Sequence, residues 1–222
     1  MKILSIETAT PVAAVALAEG DDVSVVEASN DMHHVESLIP TIEAMTSERA
    51  WSMSDIDLIV VDIGPGLFTG LRVGVATARS LAAALGCAIA PVSSLEVLAH
   101  ETVEQADRWV VIDARRREVF AQHFHASRAL GEPRVMSPEV LGAAAEPRSV
   151  LVGDGAQRYR DIFESAGLTL LDDPLSPNPA AAIELVIGAK RSSGVALEAI
   201  VPQYLRDPDA VANFHVLDRF QR

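Results

Sequence analysis

A two-lobed α/β fold, built twice from the same strand-and-helix unit, is what this sequence predicts. Three observations predict it. Strand-like runs separated by short polar turns open the chain, and the same order starts again at Trp109. The near-continuous apolar run DLIVVDI at 57–63 reads as a central strand covered on both faces. A glycine-rich connection then leads from that strand into helical periodicity.

Taken in order, residues 2–8 (KILSIET) are apolar and β-rich and predict a buried strand. Residues 12–18 follow the turn at Thr10-Pro11, and 23–28 follow Glu19-Gly20-Asp21-Asp22, so the three runs read as an antiparallel meander. Val35, Leu38, Ile39, Ile42 and Met45 recur at helical spacings. Pro40 falls inside that pattern, either as the first-turn proline of the main helix or as a kink in a longer one. After the strand at 57–63, a helix is predicted from 69 to 85, stopped by Gly86. A short strand at 88–92 and a helix over 95–106 close the first unit.

The second unit opens with strands at 109–113 and 118–125 and continues with strands at 149–153 and 168–171. Helices are predicted near 137–145, 156–166 and 178–192. The division is drawn as a first lobe over 1–104, a second over 105–206, and a polar, mobile tail over 207–222.

Composition narrows the classes. Of 222 residues, 49% are hydrophobic and 22% charged, which is a globular balance and excludes disorder. The net charge of −13 argues against a broad nucleic-acid footprint, and Arg115-Arg116-Arg117 is the one basic run. A single cysteine, Cys87, forms no internal bridge and fits a reducing compartment. The nearly uncharged stretch from Ser80 to Ser94 is too short to span a bilayer, and no leader pattern precedes the first strand. A soluble, cytoplasmic protein is expected.

The strongest local signal is GPGLFTGLRVG at 64–74. Gly64 and Gly66 permit close backbone approach, and with Thr69 they outline a loop able to point amides at a phosphate. The spacing matches neither a Walker A loop nor a dinucleotide loop, and a ligand-free strand-to-helix connection explains it equally well. Behind it, Gly70, Gly74, Ala78 and Ala82 make a stripe of small residues on one helical face. Such a stripe fits a helix pressed on its own sheet or a helix pressed on a partner.

Elsewhere the chemistry is thin. His33 and His34 lack a partner four residues on, and His123 and His125 share a strand face without a third ligand. Glu7, Asp62 and Asp113 each fall near a predicted strand end, where active sites of α/β proteins collect. No Gly-x-Ser-x-Gly nucleophile elbow is present.

Several segments carry a family resemblance: ILSIETAT at 3–10, HHVESLIP at 33–40, the loop and helix at 64–74, IDARRREVF at 112–120, GDGAQRY at 153–159 and PQYLR at 202–206. In this order they resemble the TsaB (YeaZ) family, the dimerisation subunits of bacterial tRNA threonylcarbamoyladenosine modification. The resemblance implies an actin-like ATPase (ASKHA, RNase H-like) fold with two duplicated lobes. It also implies a catalytic paralogue, TsaD, whose V-N-H-L-E-x-H segment binds metal through two histidines. Here the matching segment is Val92-Ser93-Ser94-Leu95-Glu96-Val97-Leu98, with Ser94 and Leu98 in the ligand positions. Likewise, Ala9-Thr10-Pro11-Val12 stands where the paralogue carries Ser-Cys-Asp-Glu.

No catalytic residue, metal ligand or cofactor is therefore expected, with weak nucleotide binding at a vestigial phosphate loop (Gly64, Gly66, Thr69) as the residual. The resemblance implies a scaffold that pairs with a TsaD-type subunit, admits a TsaE-type ATPase at the shared interface, and touches tRNA indirectly. Alone, the chain is expected to form a homodimer through the same helices. The expected interface residues are Val35, Leu38, Ile42, Gly70, Gly74 and Ala78, and a bulky residue at Gly74 is expected to weaken pairing without disturbing the fold. An ATP-dependent small-molecule kinase and a metallopeptidase are the rival readings, the second disfavoured by the absent histidine pair.

Overall fold

Lys2–Glu7 (β1), Ala14–Glu19 (β2) and Asp22–Glu27 (β3) form the antiparallel meander. Leu58–Asp62 (β4) and Ala88–Val92 (β5) extend it in parallel, giving the order β3-β2-β1-β4-β5. This computed structural model describes residues 1–27 and 34–206, and only the backbone of 34–36. The predicted mobility of 207–222 and the His33 reading lie outside the described residues.

Alternation along β1 sets the two layers. Leu4 and Ile6 face one core, shared with helices His34–Glu48 (α1) and Phe68–Leu85 (α2), while Ile3 faces another. Pro40 sits well inside α1, so the helix runs through it rather than starting there. Gly86 ends α2 with φ 67°, donating its N–H to the Ala82 carbonyl at 2.9 Å. Ser94–Glu101 (α3) starts from a capping box of Ser93 and Glu96 and is shorter than the predicted 95–106.

The second sheet repeats the plan. Asp107–Arg115 (β6), Glu118–His125 (β7), Arg128–Ala129 (β8), Arg134–Met136 (β9), Val150–Val152 (β10) and Thr169–Leu170 (β11) give the order β11-β10-β6-β7-β8, with β9 also on β7. In both sheets the first strand has its antiparallel meander on one side and two parallel strands on the other. Both sheets thus follow one duplicated α/β plan. Pro138–Ala144 (α4) is followed by Asp154–Arg158 (α5) and Arg160–Ser165 (α6); the predicted single helix over 156–166 is interrupted at Tyr159, where φ is −114°.

Pro179–Gly188 (α7) does not pack on the second sheet. Ala181, Ala182, Ile183 and Val186 bury against Ile3, Ala16, Leu58 and Val60 of the first. The chain then stays there, with Val195 N–H bonded to the Ile89 carbonyl at 2.8 Å and Gln203 N–H to Ile63 at 2.7 Å. The drawn division is thus corrected by packing: of residues 105–206, those from α7 to Gln203 complete the first lobe. No helix among the described residues is long and apolar enough to cross a membrane.

Candidate functional site

Beneath the glycine loop lies the chain's own segment Thr8–Thr10. A Cβ at Gly66 would stand 2.2 Å from the Ala9 carbonyl oxygen, and one at Gly70 would stand 2.0 Å from that of Thr8. At Gly74 it would meet Thr8 Oγ1 at 2.1 Å. Leu67 N–H donates to the Ala9 carbonyl at 2.7 Å, and Thr8 Oγ1 donates to the Gly70 carbonyl at 2.8 Å. Gly64 has φ 102°, and its N–H goes to Asp62 Oδ1 at 2.6 Å. The close approach that Gly66, Gly70 and Gly74 permit is to β1's own continuation. Thr69, at the start of α2, is exposed.

That geometry corrects the expected interface. Gly70 and Gly74 press on Thr8, and Ala78 is fully buried in the core shared by α1 and α2. Leu38 and Ile42 are buried in that same core, so none of these side chains lies on the outer surface. Val35 lies on α1, with its side chain outside the described residues. What α1 and α2 turn outward is a different set: Ile39 and Glu43 on the first, and Thr69, Arg72, Ala76, Ser80 and Ala83 on the second. Sequence reasoning missed this set because α2 carries small residues on both faces, and spacing does not say which face meets the sheet. At the start of α2, Arg72 lies 3.8 Å over the Phe68 ring and donates from Nε to the Tyr204 hydroxyl at 3.0 Å.

The strand-end carboxylates divide. Parallel register between β1 and β4 brings Glu7 beside Asp62, both almost fully buried. Glu7 Oε1 accepts from the N–H groups of Ala9 at 2.7 Å and Thr10 at 3.3 Å. Asp62 Oδ1 accepts from Gly64 N–H and, at 2.8 Å, from the Ser94 hydroxyl. Asp62 Oδ2 is buried without a hydrogen-bond partner among the described residues. Burial, and then the Asp62 charge, push Glu7 well above the usual carboxylate range. Burial raises Asp62 as well, against the bonds it accepts. Both carboxyls are thus held above their ordinary range, Glu7 the further of the two because the Asp62 charge adds to its burial.

Ser94 and Leu98 are both fully buried: the first is bonded to Asp62, the second packed in the core beneath the second sheet. Asp113 sits apart, accepting from Arg115 N–H at 3.0 Å and pairing with Arg158 Nε at 3.4 Å. His123 stacks on Trp109 at 4.7 Å and bonds Asp107 at 2.5 Å, and His125 is exposed.

Against known proteins, residues 25–158 match the family model described as TsaD, tRNA N6-adenosine threonylcarbamoyltransferase. An uncharacterized protein of Mycobacterium tuberculosis is 35% identical over 94% of this chain and 93% of its own. The tRNA threonylcarbamoyladenosine biosynthesis protein TsaB of Escherichia coli is 31% identical over 93% of this chain and 95% of its own. Among solved structures, YeaZ from Pseudomonas aeruginosa superposes with a TM-score of 0.77 at 26% identity, covering 92% of this chain and 100% of that one.

Proposed function

The chain belongs to the TsaB (YeaZ) family of tRNA threonylcarbamoyladenosine biosynthesis proteins, and from that membership we propose that it is a non-catalytic scaffold pairing with a TsaD-type catalytic subunit. Ser94 carries the reading. Its hydroxyl is fully buried and donated to Asp62, and one turn on, the core takes Leu98 where a second ligand would stand. A hydroxyl so placed is a poor substitute for imidazole, and leucine has no donor atom.

The pairing surface we assign is the outward face of α1 and α2: Ile39 and Glu43 with Thr69, Arg72, Ala76 and Ser80. Its small residues let a partner helix approach closely, and the Phe68, Arg72 and Tyr204 cluster at one end has the composition of a binding hot spot. The buried stripe of Gly70, Gly74 and Ala78 supports that face from beneath. A TsaE-type ATPase would join at the shared interface, and a homodimer through the same face would form when the catalytic subunit is absent. The compartment we take is the cytoplasm.

Light scattering on a sizing column tests this, with the chain alone and mixed with the catalytic paralogue of the same cell. A 1:1 heterodimer that displaces any homodimer is expected, and no change on mixing would refute the scaffold role. Ala76→Arg should weaken the pair at least tenfold with an unaltered melting temperature, because it sets a charge into a close helix contact. Full-strength pairing of that variant would move the interface elsewhere.

A further inference from the structure

The turn between β6 and β7 departs from what its backbone favours. Arg115 pairs with Glu118 and leaves Arg116 and Arg117 as a two-residue hairpin turn. Such a turn needs positive φ at both central positions, which is why Asn-Gly and Gly-Gly are preferred there. Here φ is 54° at Arg116 and 62° at Arg117, and Arg115 before them is at 63°. Left-handed backbone disfavours long side chains, yet three consecutive arginines occupy it.

Their charge faces outward, where exposed Glu139 lies near Arg117, while the carboxylate that anchors the base of the turn, Asp113, faces inward. Arg115, Arg116 and Arg117 are exposed. Arg158 of α5 joins them, 54% exposed, and the Asp113 that pairs with it is 5% exposed. One oxygen, Asp113 Oδ2, holds both Arg115 at 3.1 Å and Arg158 at 3.4 Å. Arg158 also lies 5.9 Å over the Tyr159 ring, and with five N–H donors in a planar fork its guanidinium stays half-exposed to an outer ligand. Asp154 is largely buried, and its Oδ1 accepts from the Asp113 N–H at 2.9 Å. The result is a convex, arginine-faced knuckle on a chain of net charge −13.

We propose that this knuckle contacts the phosphodiester backbone of the tRNA on which the assembly acts, a proposal that rests on the functional reading above. It replaces the expectation of indirect contact. The planar fork suits phosphate oxygens, and a convex turn suits an extended polyanion better than a small ligand. The acidic remainder of the chain repels RNA, which restricts contact to this place and sets its orientation. An acidic protein surface is the rival occupant.

The test uses the assembly of this chain with its catalytic paralogue and a fluorescently labelled unmodified tRNA, titrated at several potassium chloride concentrations. Arg116→Gly/Arg117→Gly removes charge and relaxes the backbone, Arg116→Lys/Arg117→Lys keeps charge, and Arg158→Ala leaves the turn untouched. The slope of log affinity against log salt should become shallower by about one for each arginine removed, equally for any tRNA sequence. The lysine variant should retain the wild-type slope, and the glycine variant should melt no lower than wild type. Unchanged slopes in both the glycine and Arg158→Ala variants, or a lysine variant whose slope falls as far as the glycine one, would overturn the proposal. So would unchanged tRNA affinity with lost co-elution of the paralogue, which would give the knuckle to an acidic protein. A wild-type assembly that binds no tRNA would instead overturn the functional reading on which the proposal rests.

Discussion

Two carboxyls packed together in a dry site cannot both ionise without setting like charges side by side. Burial, and then the Asp62 charge, hold Glu7 well above its ordinary value of 4.5. Glu101 is pushed up to about 7, chiefly by burial with Glu184 adding to it and the Asn178 N–H opposing. For both, the folded state holds the proton more tightly than the unfolded chain does. The stability they contribute is complete below the ordinary carboxylate range and is lost as pH rises through the folded value. Wild-type melting temperature should therefore fall from about pH 5 to pH 8, with the Glu101 share finished near 7. Glu7→Gln keeps the shape and cannot ionise, so its curve should be flatter by up to about 1.4 kcal/mol per pH unit. Melts across that range decide it, and parallel curves would contradict a raised Glu7. Ser94→Ala should cost about 1–3 kcal/mol, because it strips a buried donor from Asp62.

At the level of the element, α2 separates its two faces by consequence. Gly74→Val drives a side chain into Thr8 and should cost roughly 3 kcal/mol, whereas Ala76→Val on the outer face should stay within about 0.5 kcal/mol. Urea melts of the pair check this, and equal losses would mean that the faces are misassigned. Much of α2 was legible beforehand: its apolar period and the Gly86 stop are local signals, and both ends fell within a residue of the prediction. Its orientation was not, because Gly70, Gly74 and Ala78 on one side and Ala76, Ser80 and Ala83 on the other are equally small. Glu7 and Asp62 were each visible as strand-end acids, but their pairing depends on the β1–β4 register, which no window of sequence contains. β8 and β9, of two and three residues, are too short to show alternation. The Arg-Arg turn was visible as charge, and its left-handed backbone emerges only from the bulged β6–β7 ladder.

Across the molecule, the duplicated sheets were predictable from the repeated order of strands, whereas the return of α7 was not. Its apolar residues would suit either lobe, and only the finished packing selects the first. A fragment ending at residue 104 therefore lacks one cover of its own sheet and should show no cooperative melt. Calorimetry on that fragment is the check, and a sharp transition would contradict the packing described. The same return has a temporal side. On the ribosome, the face formed by Ile3, Ala16, Leu58 and Val60 waits for a helix near the end of the chain, while every strand of the second sheet has already emerged. Synthesis thus begins with the lobe that is completed last, and a nascent chain stalled before residue 179 presents a greasy sheet to the chaperones of its cell.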